Sequence, residues 1–300
     1  MSDYPDFSII IPTRDRPRRL GACLDSITHL KYPASHFEVI VIDDGSKTSV
    51  GPVISPFRDL LDLKLLTQPG AGPASARNAG AAVARGHFLA FTDDDCKPAS
   101  DWLQKLSARF DGSPSRAIGG RTINALSENS YSTASQLLIS HLCEYYNADA
   151  EDAHFLPSNN FAFPAKLFRS IGGFDPGYPS AAAEDRDLCA RWRLCGYGMT
   201  YAPEVVVYHS HWLRANTFWQ QHFRYGRGAL RFQQGRFRYA AERFRLEPLA
   251  FYLGLIGYPF SGGKCQSPVL LSAMLMVSQI ANAAGFFWEG ASQFISRKQK

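Results

Sequence analysis

Three consecutive carboxylates follow an apolar run in the segment HFLAFTDDDCKP, residues 87–98. On an extended chain successive side chains point to opposite sides, so Asp93 and Asp95 would face one way and Asp94 the other. Two carboxylates that converge on one point repel each other unless a cation lies between them. Oxygen ligands of this kind suit Mg²⁺ or Mn²⁺. The pattern favours a divalent-metal site, with a solvated acidic turn that caps the next helix as the structural alternative.

Two further acidic pairs occur at predicted element boundaries. Asp43 and Asp44 end the apolar run FEVIVIDD, and Glu184 and Asp185 open a later helix. In an open parallel sheet, ligands bind outside the carboxyl ends of the strands. We therefore expect the first pair to lie at the same sheet edge as the three aspartates. The second pair has a structural alternative, because acidic residues in the first turn stabilise a helix.

The segment GAGPASARNAGAA, residues 70–82, leads from a glycine-rich turn into a helix of small residues. Free N–H groups at a helix N-terminus and an adjacent arginine can bind a diphosphate, which makes Arg77 a candidate ligand. The alternative is a helix packed closely on the sheet with Arg77 at the surface. His209 and His211 follow the last predicted strand, where a hydrogen-bonded structural histidine is the commoner case.

The elements that must position these residues alternate along the first third of the chain. Strands without polar alternation are predicted at 7–12, 37–44, 63–68 and 87–92, with helices between them. Apolar strands that alternate with helices indicate an α/β fold with a parallel sheet covered on both faces. Further along, the patterns predict a strand at 116–123, helices at 131–147 and 184–196, and two short strands within 199–211.

The composition is that of an ordinary globular chain of 300 residues, with 45% hydrophobic and 20% charged residues. The six cysteines have irregular spacings without a CxxC pair, so reduced thiols in a cytosolic setting are expected. The start MSDYPDFSIIIP lacks the charged and long apolar regions of a secretory signal.

Positive charge is concentrated in residues 214–245, which carry a formal charge of +7. Because the whole chain carries +5, the remainder is −2. Two apolar blocks follow at 249–260 and 268–288. The second is long enough to span a bilayer, but it contains Ser272, Gln279 and Asn282. A helix lying in the membrane interface is therefore predicted. Nucleic-acid binding and an ordinary basic surface are the alternatives for the arginines, and we expect anionic membrane contact rather than nucleic acid. The arginines are Arg214, Arg224, Arg227, Arg231, Arg236, Arg238, Arg243 and Arg245.

An ordered series of motifs from about residue 7 to 211 resembles the family-2 glycosyltransferases of the GT-A fold. The motifs are SIIIPTRDR, EVIVIDDGS, GPASARNAGAAVARGHFLAFTDDDCKPASDWL, GGFDPGY and AEDRDLCARWRLCGYGMTYAPEVVVYH. The resemblance implies inverting transfer of a sugar from a nucleotide-diphosphate donor to a hydroxyl acceptor, in polysaccharide, cell-envelope glycan or glycolipid synthesis. It implies a GT-A domain over 1–212, with a nucleotide-sugar half at 1–123 and an acceptor half at 124–212. From the basic segment and the apolar blocks, we expect residues 213–300 to form a helical extension on the cytoplasmic membrane surface.

The resemblance also assigns roles to matching residues. Asp185 would be the general base, with Glu184 as the fallback. The acceptor, a glycan or a lipid-linked molecule, would meet Asn159 and Asn160. A Mn²⁺ or Mg²⁺ cofactor would be held by Asp95, Asp93 and His209. The nucleotide sugar would be bound by Thr13, Arg14, Asp43, Asp44, Arg77, Asp93 and Asp94.

Two other functions remain open at this stage. A sugar nucleotidyltransferase would share the nucleotide-binding strands and the metal-binding acids, but it is expected to carry a glycine-rich loop after the first strand. The segment PTRDRPRR offers arginines and no glycine run there. A catalytically silent scaffold of a membrane polysaccharide complex is the other alternative, and the intact acidic pairs argue against it.

Overall fold

The computed structural model describes residues 6–178, 182–240, 246–261 and 267–298; Arg243 and Arg245 of the basic segment lie outside them. The strands are β1 (Phe7–Thr13), β2 (Phe37–Asp44), β3 (Leu63–Gln68), β4 (Phe88–Phe91), β5 (Cys96–Pro98), β6 (Ala117–Asn124), β7 (Phe161–Pro164) and β8 (Met199–His209). The helices are α1 (Pro17–Thr28), α2 (Gly51–Ile54), α3 (Pro73–Val83), α4 (Trp102–Gly112), α5 (Ser130–Tyr146), α6 (Ala165–Ser170), α7 (Glu184–Leu194), α8 (Ala215–Ala240), α9 (Leu249–Ser261) and α10 (Pro268–Lys298).

The strands form one sheet in the order β3-β2-β1-β4-β7-β6-β8-β5. Its first four strands are parallel, β7 runs antiparallel to both neighbours, and β6 and β8 are again parallel. The predicted α/β class with a mostly parallel sheet is confirmed, and the sheet is mixed beyond β4. The two short strands predicted within 199–211 are a single strand, β8, whose register against β6 shifts at Gly120 and Arg121.

The apolar strands bury side chains on both faces, which explains why they lack polar alternation. Ile9 and Ile11 pack in the core beneath α1 and α4. Ile10, between them, packs in the opposite core with α3, α6 and α7. The small residues of α3 allow close approach: a Cβ at Gly80 would lie 2.8 Å from Ile10 Cγ2. The first strands are thus held rigidly, and their carboxyl ends share one edge.

The last helices pack against α5 and α7 as well as against each other. A Cβ at Gly226 of α8 would lie 1.8 Å from the Asn282 carbonyl oxygen of α10, so the two backbones nearly touch. Buried Glu289 of α10 accepts hydrogen bonds from Arg227 Nε at 2.7 Å and Arg231 Nε at 2.9 Å. α10 also packs on α5 and α9, and α8 packs on α7. The C-terminal extension therefore forms one wall above the sheet edge.

Candidate active site

The carboxyl ends of β1, β2 and β4 bring the predicted donor-site residues to one sheet edge. Thr13 lies opposite Asp43 in the β1–β2 register, and Thr13 Oγ1 donates to Asp94 Oδ2 at 2.7 Å. After the aspartates the chain continues into β5, which returns antiparallel alongside β8, so that Cys96 lies opposite His209. This return brings the last strand's histidine next to Asp95.

Each of the three consecutive aspartates has a different set of partners. Asp93 accepts from Arg77 Nη2 at 2.7 Å, and Asp94 accepts from Thr13 and from Arg16 Nη1 at 3.1 Å. Asp95 accepts from Arg19 Nη1 at 2.9 Å and shares Arg16 Nη1 with Asp94, at 3.4 Å. The segment is a turn rather than an extended strand, yet Asp93 and Asp95 line the main cavity while Asp94 does not.

Burial and charge act differently on the two inner aspartates. Burial raises the pKa of Asp94 to about 6, despite the opposing charge of Arg16. Burial also acts to raise the pKa of Asp95, but hydrogen bonding to His209 and the charge of Arg16 hold it below the usual range. Asp95 is therefore ionised at any physiological pH and is suited to a cation.

A possible cation site is formed by Asp95, His209 and His211, whose ligand atoms lie within 4.8 Å of one another. Asp95 lies 3.2 Å from His209 Nε2 and 3.6 Å from His211 Nδ1. Asp93, predicted as a ligand, is directed at Arg77 instead, and His211 stands in the cluster. The signal for His211 was its spacing, because residues two apart on an extended chain face the same side.

The donor atoms of this cluster fit a divalent transition ion. Burial lowers the pKa of His211 to about 4, so its imidazole is neutral, the form that binds metals. One carboxylate and two imidazoles are ligands that a divalent cation can take.

Arg77 connects the three aspartates to the later acidic pair. Its side chain is buried, Nη1 donates to Glu184 Oε1 at 3.1 Å and Nη2 donates to Asp93. The guanidinium also lies over the Phe174 ring at 5.4 Å. The alternative of a surface arginine is wrong, because α3 packs closely on the sheet and directs Arg77 inward. Its contact with a diphosphate stays a prediction.

Glu184 and Asp185 begin α7, after Ala183 in a left-handed conformation with φ of 68°. Glu184 Oε2 accepts from the Ala182 N–H at 2.7 Å, so both of its oxygens are engaged. Burial, with the neighbouring charge of Asp185, raises the pKa of Glu184 to about 7. Burial also raises the pKa of Asp185. Asp185 faces the cavity and, among the described residues, has no ion pair within 4 Å.

Asp43 and Asp44 are buried and hold the chain around the sheet edge. Asp44 Oδ1 accepts from the Ala71 N–H at 2.7 Å and Oδ2 from the Gly72 N–H at 2.9 Å, which fixes the turn before α3. Asp43 Oδ1 accepts from the Ser46 N–H at 2.9 Å. Their contact with a nucleotide stays a prediction.

Arg14 is exposed beside Gly70 and does not contact the aspartates. Arg16 and Arg19 make those contacts instead, and sequence reasoning did not select them. Their signal was position, since PTRDRPRR follows β1 at the same edge as the aspartates.

The two adjacent asparagines predicted at the acceptor are separated by the structure. Asn159 lines the main cavity, and its Oδ1 accepts from Thr122 Oγ1 at 3.0 Å. Asn160 is fully buried: Oδ1 accepts from Trp102 Nε1 at 2.9 Å and Nδ2 donates to the Val205 carbonyl at 2.9 Å. Assigning Asn160 to the acceptor was therefore wrong, because its amide joins sheet and helix away from the cavity.

Two cavities meet at Arg16 and His211. The main one has a volume of about 780 Å³ and contains the carboxylates at its catalytic end and the C-terminal helices at its other walls. The second, of about 610 Å³, is lined by Arg16, Arg18, Arg19 and Arg224. The concentration of guanidinium groups there suits an anionic ligand such as a diphosphate.

The glycosyl transferase family 2 model matches residues 8–172, more than half of the chain. The chain belongs to glycosyl transferase family 2. It is 26% identical over 238 residues to glycosyltransferase AglE of Haloferax volcanii, covering 77% of this chain and 75% of AglE. It is 27% identical over 231 residues to validoxylamine A glucosyltransferase of Streptomyces hygroscopicus subsp. jinggangensis, covering 68% of this chain but only 55% of that enzyme.

Solved structures of glycosyltransferases share the fold. The mannosyltransferase PcManGT from Pyrobaculum calidifontis, in complex with GDP-Man and Mn²⁺, aligns with a TM-score of 0.61 at 20% identity, covering 97% of this chain and 81% of its own. TarS 1–349 of S. aureus, in complex with UDP-GlcNAc, aligns with a TM-score of 0.54 at 15% identity, covering 96% and 91%. The family and GT-A fold predicted from the motifs are confirmed, and this family 2 chain is a glycosyltransferase.

Proposed function

We propose that the enzyme transfers a sugar, with inversion, from a nucleotide-diphosphate donor to a hydroxyl acceptor in glycan synthesis. The observation that carries the proposal is that Asp93, Asp95, Glu184 and Asp185 line one cavity. A donor site and a general base thereby face the same space, as a single displacement requires.

The donor half of the proposal uses the sheet edge. Thr13, Asp43, Asp44 and Asp94 would bind the base and ribose. Arg16 and Arg19, with Arg14 and Arg77 nearby, would face the diphosphate. In support, the solved structure of PcManGT is a complex with GDP-Man, and that of TarS 1–349 is a complex with UDP-GlcNAc.

Asp95, His209 and His211, with Asp93 beside them, would hold a divalent cation, for which Mn²⁺ is the better fit because Mg²⁺ prefers oxygen ligands. Such an ion neutralises the charge that develops on a leaving diphosphate. Arg16 and Arg19 would add fixed positive charge in the same place, so the departing nucleotide is stabilised by groups that need no rearrangement.

Asp185 would take the proton from the acceptor hydroxyl as that oxygen attacks the anomeric carbon opposite the leaving group. Attack from that side inverts the configuration. Burial raises the pKa of Asp185, which strengthens it as a base near neutral pH. Glu184, held by Arg77 and the Ala182 N–H, would position the start of α7.

The test is nucleotide release from a panel of nucleotide sugars by the purified full chain, with Mn²⁺, Mg²⁺ or EDTA. We expect one donor to react with Mn²⁺, and Asp95→Ala to lower release by at least about 100-fold because the cation loses its ionised ligand. Asp101→Ala, which removes a partly exposed aspartate paired with Lys105, is the matched control. Metal-independent release would contradict the cation role, and absence of both release and binding for every donor would favour the silent scaffold.

We also propose peripheral association with the cytoplasmic membrane surface through α9 and α10. Among the described residues, Pro268–Ile295 has the length and composition to cross a membrane, with a mean hydropathy of 1.6. Exposed apolar side chains on these helices include Leu253, Phe260, Val277, Ile280 and Trp288. The basic segment contributes less than its charge indicates, because Arg227 and Arg231 share the carboxylate of Glu289, which offsets one of their two charges.

Flotation with liposomes tests this association. We expect the chain to float with vesicles containing phosphatidylglycerol, and Leu253→Ser to weaken partitioning about tenfold because a buried leucine contributes about 1.5–3 kcal/mol. Leu60→Ser is the matched control, since Leu60 is equally exposed on the catalytic part. Equal loss in both variants, or no flotation of the parent, would contradict the proposal.

A further inference from the structure

The main cavity changes character along α5. Ser132, Ser135 and Gln136 line it near the start of the helix, and Leu138, Ile139 and Leu142 line it further on. Ser132 lies beside the cation cluster, since its hydroxyl donates to the His211 carbonyl. From Ser132 to Leu142 the helix rises about 15 Å. The cavity wall therefore turns from polar to apolar with distance from the cluster.

The apolar part is completed by the C-terminal helices. Phe251 and Tyr252 of α9 and Phe286 of α10 line it. Gln279 and Asn282 of α10 also line the cavity. The rings and leucines offer no partner to sugar hydroxyl groups, whereas hydrocarbon gains free energy when it leaves water for such apolar surroundings. A purely carbohydrate acceptor would leave Leu138, Ile139, Leu142, Phe251 and Phe286 without matching chemistry.

The cavity opens at the apolar surface of the molecule. Leu246 and Phe287 both line it, yet they are 70% and 73% exposed, so they stand at its mouth. Leu253, Ile280 and Trp288 of the exposed face belong to the same two helices, α9 and α10. The hydrocarbon chain of a lipid, in a membrane that contacts this face, would reach the cavity without crossing water.

We infer that the acceptor is a glycolipid: its hydroxyl-bearing head lies in the polar part near Asp185, and its hydrocarbon chain lies between α5, α9 and α10. The inference rests on the proposed function, because it names the acceptor class of the same site. It assigns the C-terminal extension a part in acceptor binding as well as in membrane contact.

We call the space between α5, α9 and α10 the chain site, because it would hold the hydrocarbon chain. Photoaffinity labelling of the whole protein tests this site directly. The probes are farnesyl phosphate and palmitate, each carrying a benzophenone at the end of the chain, and the labelled peptides are mapped by mass spectrometry. We expect labels on the cavity-lining residues of α5, α9 and α10. Ala283→Trp, at an exposed alanine that lines the cavity, should reduce that labelling at least fivefold. Ala273→Trp, at an exposed alanine of α10 that is not among the lining residues, should not.

Thermal unfolding of each variant checks that it folds, and Leu246→Trp blocks the mouth from the other side. Two outcomes would overturn the chain site. One is labelling that is confined to the outer face and equal in Ala283→Trp and Ala273→Trp. The other is the absence of labels on folded protein. Preferential labelling by the farnesyl or the palmitoyl probe would support it and distinguish an isoprenoid carrier from an acyl lipid. Donor release by the parent chain is measured in parallel. Release without cavity labelling would overturn the glycolipid acceptor alone. Cavity labelling with neither release nor binding of any donor would support the chain site while overturning the proposed transfer.

Discussion

Asp185→Asn is expected to lower sugar transfer to the acceptor by about 10²–10⁴-fold, the usual contribution of a general base. Asparagine keeps the shape of the side chain and cannot accept the proton. Burial raises the pKa of Asp185, so this base takes up a proton at a higher pH than an ordinary aspartate does. As the pH is lowered, we therefore expect the transfer rate of the parent to begin falling at that higher pH. The measurement is transfer of labelled sugar from the reactive donor to membranes of the source cells, across pH, for parent and variant.

Glu184→Gln is the comparison that decides between the two acids. Its carboxylate is held by Arg77 and by the Ala182 N–H, so we expect it to affect stability more than the transfer rate per folded molecule. Loss of transfer in Glu184→Gln with retention in Asp185→Asn would reverse the assignment. Equilibrium binding of the donor to both variants separates loss of chemistry from loss of the site.

Arg77→Met is expected to reduce the free energy of unfolding by about 3–5 kcal/mol, the loss typical of removing one partner from a buried ion pair. Arg77 is 2% exposed and bonds both Asp93 and Glu184, so methionine would leave two carboxylates without their cation. The measurement is urea unfolding followed by tryptophan fluorescence. A loss below about 1 kcal/mol would contradict the bridging role.

The pH dependence of that loss has a definite sign. The charge of Arg77 lowers the pKa of Glu184, so the arginine stabilises the fold most when the carboxylate is ionised. This stabilisation decreases as pH falls and Glu184 takes up a proton. We therefore expect a larger difference between parent and Arg77→Met at pH 8 than at pH 5. Arg109→Met, which removes a partly exposed arginine paired with Glu204 and Glu151, should change stability by less than about 1 kcal/mol at either pH.

The local sequence pattern predicted the structure correctly where a single segment contains the information that determines it. The first four strands were predicted because a strand buried on both faces must be apolar throughout, as FEVIVIDD is. Predicting the strands also predicts where their carboxyl ends lie, so Asp43, Asp44 and Asp93 to Asp95 were predicted at one edge of the sheet. The family was identified because several such motifs occur in order.

Pattern failed where neighbours in sequence face different surroundings. Asn159 and Asn160 are the same residue type, but the turn that contains them directs Asn159 to the cavity and Asn160 to Trp102. His211 was ranked below His209, although both reach Asp95. Which side faces the site depends on how each strand is placed in the sheet.

The sequence by itself therefore determined the α/β class, the family and the chemical types of the site residues, because these depend on periodicity and on residue identity. The tertiary structure alone decided which partner each charge has. Arg77 joins Glu184 across 107 residues of chain, and Arg231 joins Glu289 across 58. The shared cavity arises in the same way, from the packing of α5 against helices far along the chain. Such contacts depend on the packing of whole elements, and no short stretch of residues contains that information.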